Sequence, residues 1–216
     1  MKIRSIRSHI LRVPLGDKVF YSSQARFPER NSYLVRIETD TGLVGWGEGG
    51  QYGPPEPVAA CIDHVLGPKL IGRDPTEPVR IWDELYNFSR DFGQKGTYVE
   101  ALSALDIALW DIAGKAVGLP VWKLLGGRFR DSIKAYATGC YYPEAFNDLP
   151  AVLRDLEREA SGYRDAGFQF LKVKVGLLDL RTDVKRLAVI REAIGPNIGL
   201  LVDANHAYSA ASAIRM

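Results

Sequence analysis

Lys172 and Lys174, one residue apart, and Asp203, one helix-length further on, have the greatest capacity for chemistry in this chain. In an extended strand, side chains at i and i+2 point to the same face. Within Leu171-Lys172-Val173-Lys174-Val175-Gly176 both lysines therefore share a face with Phe168 and Phe170, while Leu171, Val173 and Val175 share the other. In Leu200-Leu201-Val202-Asp203-Ala204-Asn205, Asp203 and Asn205 share a face with Leu201. Two ammonium groups on Cα atoms about 7 Å apart repel each other, and partial burial disfavours their charge further. Both effects lower a lysine pKa and suit it to general-base work near neutral pH. The same pair attracts an anion such as a carboxylate. Asp203 has two readings, a turn or N-cap residue or a hard-oxygen ligand for Mg²⁺, which usually needs more than one carboxylate.

The elements that must position these groups follow from periodicity. The lysine strand lies between two helix-patterned segments. One begins at Asp148 and Pro150 and stops at Gly167; the other begins at Asp179 and ends at Gly195-Pro196. With a strand over Ile133 to Thr138, the order is β-α-β-α-β with short connections, which implies right-handed parallel units. Such sheets carry their sites at the C-terminal strand ends. A third unit starts at Tyr208-Ser209-Ala210. Three parallel strands leave an unpaired edge and uncovered apolar faces. The chain therefore reads as the truncated first part of a larger protein, with a homo-oligomer or a complementing C-terminal segment as candidate partners.

The N-terminal region has a different texture. Residues 2–13 read as a strand stopped by Pro14, and residues 15–31 as a loop. Tyr33, Val35 and Ile37 alternate with Leu34, Arg36 and Glu38, and Asp40-Thr41-Gly42 turns the chain into Leu43-Val44-Gly45-Trp46-Gly47-Glu48, completing a three-strand antiparallel meander. Gly49-Gly50-Gln51-Tyr52-Gly53-Pro54-Pro55 is a second loop. Residues 56–93 read as helical, with a break near Gly72 to Pro75. The strongest helix is Tyr98 to Val117. It carries one apolar stripe (Leu102, Leu105, Leu109, Ile112, Ala116) and a small-residue stripe (Ala101, Ala104, Ala108) that allows close approach of another element. Gly118 ends it and Pro120 prevents its resumption. The expected domains are 1–128 and 129–216.

Other polar groups read as scaffold. Asp111 pairs with Lys115 at i+4, and Asp106 lies in the same helix. Glu48 ends a strand before glycines that lack phosphate-loop spacing, and reads as part of a turn or flap. His206 follows Asn205 and should point away from the Asp203 face. His9 and His64 have no partners in sequence.

Composition narrows the class. The chain has 216 residues, 46% hydrophobic and 25% charged, which suits a packed globular core rather than disorder. A net charge of +2 with scattered basic residues gives no nucleic-acid tract or polybasic membrane anchor. No stretch approaches the roughly 20 apolar residues of a membrane span. Cys61 and Cys140 form no metal or redox motif, and a cytoplasmic protein with free thiols is expected.

Taken together, these motifs resemble the enolase superfamily in its mandelate racemase / muconate lactonizing enzyme branch. Ala101 to Lys115 looks like the signature helix. Pro120-Val121-Trp122-Lys123-Leu124-Leu125-Gly126-Gly127 looks like the segment leading into the barrel. Lys172-Val173-Lys174 matches the Lys-x-Lys motif, and Val202-Asp203-Ala204-Asn205 the first metal-ligand strand. The resemblance implies an α+β capping domain followed by the first three βα units of a modified TIM-type barrel, left incomplete. It implies a Mg²⁺-dependent racemase or acid-sugar dehydratase that removes the proton α to a carboxylate of a small substrate. Lys174 resembles the base on one face, Lys172 the lysine that contacts the substrate carboxylate, Asp203 the first metal ligand, and Asn205 a substrate contact. The loops at about 16–31 and 49–55 resemble those that close over the substrate. Two further metal ligands and the opposite-face acid/base belong on later strands, so little or no activity is expected from these residues alone. A non-catalytic interaction or dimerisation module is the alternative.

Overall fold

The computed structural model describes every residue except Gln51, Tyr52, Ala145 and Asn147. The chain opens with β1 (Ile3–Pro14), β2 (Phe20–Tyr21), β3 (Arg26–Phe27), β4 (Glu29–Thr39) and β5 (Val44–Gly49). Next come α1 (Glu56–Cys61), a π-helical turn at Ile62–Leu66, a 3₁₀ turn at Gly67–Lys69, α2 (Pro78–Gly93), α3 (Thr97–Val117) and α4 (Val121–Leu124). The remaining elements are β6 (Ala137–Gly139), β7 (Tyr142–Pro143), α5 (Leu149–Asp165), β8 (Phe170–Lys174), α6 (Leu180–Ile194), β9 (Gly199–Asp203) and α7 (Ala210–Arg215). They form two compact units, one of Met1–Val13 with Arg30–Asp131 and the other of Pro14–Glu29 with Ser132–Met216.

The first unit packs helices on a sheet of order β1-β4-β5. β4 and β5 are antiparallel, and Gly42, with φ of +85°, makes the turn between them. Alternation in β4 puts Tyr33, Val35 and Ile37 wholly inside. They join a core that includes Leu102, Leu105, Leu109 and Ile112 of α3. The small-residue stripe of α3 meets β5, whose inward positions are all glycine. A Cβ on Gly47 would overlap the Ala104 carbonyl oxygen, and one on Gly45 the Ala108 carbonyl oxygen. Gly118 closes α3 in the left-handed region at φ of +68°, and the Leu119 amide donates back to the Gly114 carbonyl at 2.9 Å. In the second loop, Gln51 and Tyr52 lie outside the described residues.

The second unit is built on a parallel sheet of order β6-β8-β9, without barrel closure among the described residues. α5 starts where Asp148 accepts the Ala151 amide at 3.0 Å, and α6 where Asp179 accepts the Arg181 and Thr182 amides. Gly167 and Gly195 end them with positive φ. Leu156, Ala160, Leu171, Val173, Ile190 and Ile194 form the core. Two expectations need correction. The strand expected over Ile133 to Thr138 is only Ala137–Gly139, because pairing with β8 begins at Ala137; Ile133 is 83% exposed. The expected loop at 15–31 contains β2 and β3, which pair with each other. β2 also pairs with β7, and Phe20 stacks on Phe27 at 5.1 Å.

Candidate active site

Parallel pairing aligns Lys172 with Leu201 and Lys174 with Asp203. The side chains converge on one oxygen. Lys174 Nζ lies 2.8 Å from Asp203 Oδ2, and Lys172 Nζ lies 3.0 Å from the same atom. Lys174 is the more enclosed, with 10% of its side chain exposed against 25% for Lys172. Both ammonium groups touch a single oxygen, so they stand within about 6 Å of each other, where like charges repel by about 3 kcal/mol at an effective dielectric near 20. On the same scale each contact with the carboxylate is worth about 6 kcal/mol before desolvation. Attraction therefore wins. The Asp203 hydrogen bond holds the Lys172 ammonium above its ordinary pKa, which corrects the expectation that repulsion would lower that lysine. Asp203 is held well below the usual carboxylate range, chiefly by the Lys174 bond and then by the Asn205 amide.

The turn after β9 is strained. Asn205 and His206 have φ of +42° and +67°, a region that non-glycine residues seldom enter. Strand alternation stops at Asp203, so it is not alternation that brings Asn205 to this site. Its amide, donated to Asp203 Oδ1 at 3.0 Å, does so instead. The Asn205 side-chain oxygen is buried without a hydrogen-bond partner among the described residues. His206 is an exposed turn residue. A contact not evident in the sequence comes from the segment before β3. There Ser23 is buried and its hydroxyl donates to the Asp203 main-chain carbonyl at 3.3 Å.

Beneath the strand ends lies a second group that sequence reasoning missed. Asp183 and Arg186 of α6 are fully buried and paired at 2.8 Å, and Tyr142 joins them through its hydroxyl. A charged pair at i, i+3 on a helix ordinarily reads as a solvated face. The only local signal against that reading is the position of both residues on the same face of α6 as Ile190 and Ile194.

The groups read as scaffold stay in the first unit. Asp111 accepts from Lys115 at 2.6 Å and from the Trp46 amide at 2.9 Å. Glu48 accepts from Ser32 across β4 and β5, and His9 packs beside Trp46 at 5.5 Å between ring centres. Burial raises the Asp106 carboxyl. Cys61 and Cys140 are both buried and unpaired by disulfide. No helix among the described residues is long and apolar enough to cross a membrane.

Asp203 is a hard-oxygen donor at a strand mouth and fits one ligand position of Mg²⁺. Among the described residues no three His, Cys, Asp or Glu side chains are gathered into a metal cluster.

Comparison with known proteins gives the family. Residues 21–126 match the mandelate racemase / muconate lactonizing enzyme N-terminal domain, and residues 155–216 match the enolase C-terminal domain-like family. The chain is 44% identical over 216 residues to D-galactarolactone cycloisomerase of Agrobacterium fabrum, covering 100% of this chain and 55% of that protein. It is 38% identical to arabinonate dehydratase of Saccharolobus solfataricus, covering 84% of this chain and 47% of the relative. A crystal structure of a racemase from Streptomyces coelicolor with bound magnesium superposes with a TM-score of 0.85 at 33% identity, over 99% of this chain and 58% of that one. The chain spans about half the length of the curated relatives it matches. With two family domains matched in order, and relatives and a solved structure aligned across most of its residues, the chain belongs to the enolase superfamily, in its mandelate racemase / muconate lactonizing enzyme branch.

Proposed function

We propose that these residues form part of a Mg²⁺-dependent site that removes the proton α to the carboxylate of an acid sugar or related 2-hydroxy acid. The outcome is racemisation, dehydration or cycloisomerisation. The observation that carries the reading is the convergence of Lys172 and Lys174 on Asp203 Oδ2 at the end of adjacent parallel strands. Lys174, nearly enclosed, is the base on one face of the substrate. Lys172, more open, meets the substrate carboxylate and orients it. Asn205 offers its unpartnered side-chain oxygen to a substrate hydroxyl. Asp203 is one metal ligand, and bound Mg²⁺ would supply positive charge where negative charge develops on the substrate. The names of the relatives, a galactarolactone cycloisomerase and an arabinonate dehydratase, support an acid-sugar substrate.

These residues amount to one base and one metal ligand, so this chain alone is expected to act slowly. The test follows loss of the α-proton signal from a panel of acid sugars by NMR in D₂O, with and without Mg²⁺. Slow exchange that needs Mg²⁺ and disappears in Lys174→Ala is the expected result. Exchange indifferent to Lys174→Ala sinks the assignment of the base. Turnover as fast as the full-length relatives sinks the claim that the catalytic set here is partial.

A further inference from the structure

We infer that Arg186, with Asp183 and Tyr142, is a positioning cluster that fixes the main chain at the end of β8 and thereby the reach of the Lys174 side chain toward Asp203. The inference rests on the proposed role of Lys174 as the base.

The bonds of this cluster end on main-chain atoms at and just after the lysine, and on the chain leaving the neighbouring strand. Arg186 donates to the Lys174 carbonyl at 3.1 Å through Nη1 and to the Cys140 carbonyl at 2.9 Å through Nη2. One guanidinium thus bridges two neighbouring strands just where their shared ladder runs out, after the Gly139–Val173 pair. Asp183 Oδ2 accepts the Gly176 amide at 2.7 Å, and the Tyr142 hydroxyl accepts the Leu177 amide at 3.3 Å. That hydroxyl donates to Asp183 at 2.8 Å, and the Arg186 guanidinium stacks 3.8 Å from the Tyr142 ring centre. Positions 174, 176 and 177 are therefore each tied to the cluster. Cys140 takes φ of +51°, a conformation that a non-glycine residue keeps only when its surroundings enforce it.

Stability alone does not call for these charges. A buried ion pair replaced by well-packed apolar side chains is often no less stable. What apolar side chains cannot do is accept a main-chain amide and bridge two carbonyls at fixed distances. Lysine could not stand in for Arg186, because its single ammonium lacks the planar fork that reaches both carbonyls.

The experiment compares the unaltered chain with Arg186→Lys and Tyr142→Phe. Tyr142→Phe removes one hydroxyl and leaves the ion pair. Each protein is treated briefly with an amine-acetylating reagent and read by peptide mass spectrometry, with the exposed Lys69 and Lys123 as internal references. The expected result is slow labelling of Lys174 in the unaltered chain, rising about fivefold or more in both variants while Lys69 and Lys123 are unchanged. A merely structural role would leave Lys174 unchanged or raise labelling everywhere, and either pattern in a variant that keeps its circular-dichroism spectrum overturns the inference. If Arg186→Lys fails to fold, Tyr142→Phe decides. An unprotected Gly176 amide in the unaltered chain overturns the inference irrespective of any variant. In the α-proton exchange assay, the rate at saturating acid sugar should fall roughly 10- to 100-fold with the half-saturating concentration held. Absence of exchange in the unaltered chain counts against Lys174 as the base, whereas the labelling comparison judges the positioning separately.

Discussion

Asp203 carries more of this molecule's electrostatics than any other single carboxylate at the strand ends. Its pKa is depressed in the folded chain, by the Lys174 bond first and the Asn205 amide second. A depressed carboxylate contributes stability above its unfolded pKa, near 3.9, and that contribution is lost as pH falls toward the folded value. Thermal melts of the unaltered chain should therefore lose stability below about pH 4. Asp203→Asn should flatten that limb, and equal acid sensitivity in both proteins would contradict the ion-pair geometry. Lys172 has the opposite sign. Its raised pKa gives stability that is full below its unfolded value and fades as pH climbs through the folded one. Alternation, with Asp203 one βα unit after the lysines, made the Lys172, Lys174 and Asp203 constellation legible in the sequence. The buried cluster below it was barely legible, since only the shared face with Ile190 and Ile194 distinguishes Asp183-x-x-Arg186 from a pair in water. Arg186→Met should cost about 3–5 kcal/mol in urea unfolding by stranding a buried carboxylate. Asp183→Leu combined with Arg186→Met should recover only part of that loss, because the Gly176 amide and the Lys174 and Cys140 carbonyls still lose their partners.

At the level of elements, glycine acts in opposite ways at two places. Gly47 sits where β5 touches the α3 backbone, and a methyl group there has no space. Gly47→Ala should destabilise by about 3 kcal/mol, at the upper end for overpacking. Gly162 lies exposed inside α5 with nothing within 4 Å of where a Cβ would stand. Gly162→Ala should stabilise by about 0.5–1 kcal/mol through helix propensity and reduced chain entropy. Equilibrium urea denaturation of the two variants checks both signs. The long elements were legible because their caps and periodicity agree; α3, α5 and α6 begin and end within a residue or two of where Asp148, Asp179, Gly118, Gly167 and Gly195 place them. The short ones were not. β2, β3 and β7 have two residues each, and the pairing of β2 with β7 joins segments far apart in sequence. The expected strand starts earlier than β6 because strand propensity at Ile133 to Tyr136 does not reveal that those residues lack a ladder partner.

Over the whole molecule, the apolar surface is unevenly covered. β9 is an outer strand of its sheet, and Leu201 and Val202 are 42% and 52% exposed. An exposed apolar edge strand favours pairing with another chain. Sedimentation velocity should show self-association that grows with concentration and weakens in Val202→Lys; a monomer at every concentration would refute this. Each unit has its own core, and what each core tolerates differs in kind. Along β5, Gly45 and Gly47 exclude every side chain, and Gly49 has the Tyr33 ring only 3.1 Å from where a Cβ would stand. A random-mutagenesis survey scored by loss of activity would flag these glycines as sharply as Lys174. Intolerance in this strand would report the spacing between a ribbon and a helix, and would need a folding assay beside it before being counted as chemistry.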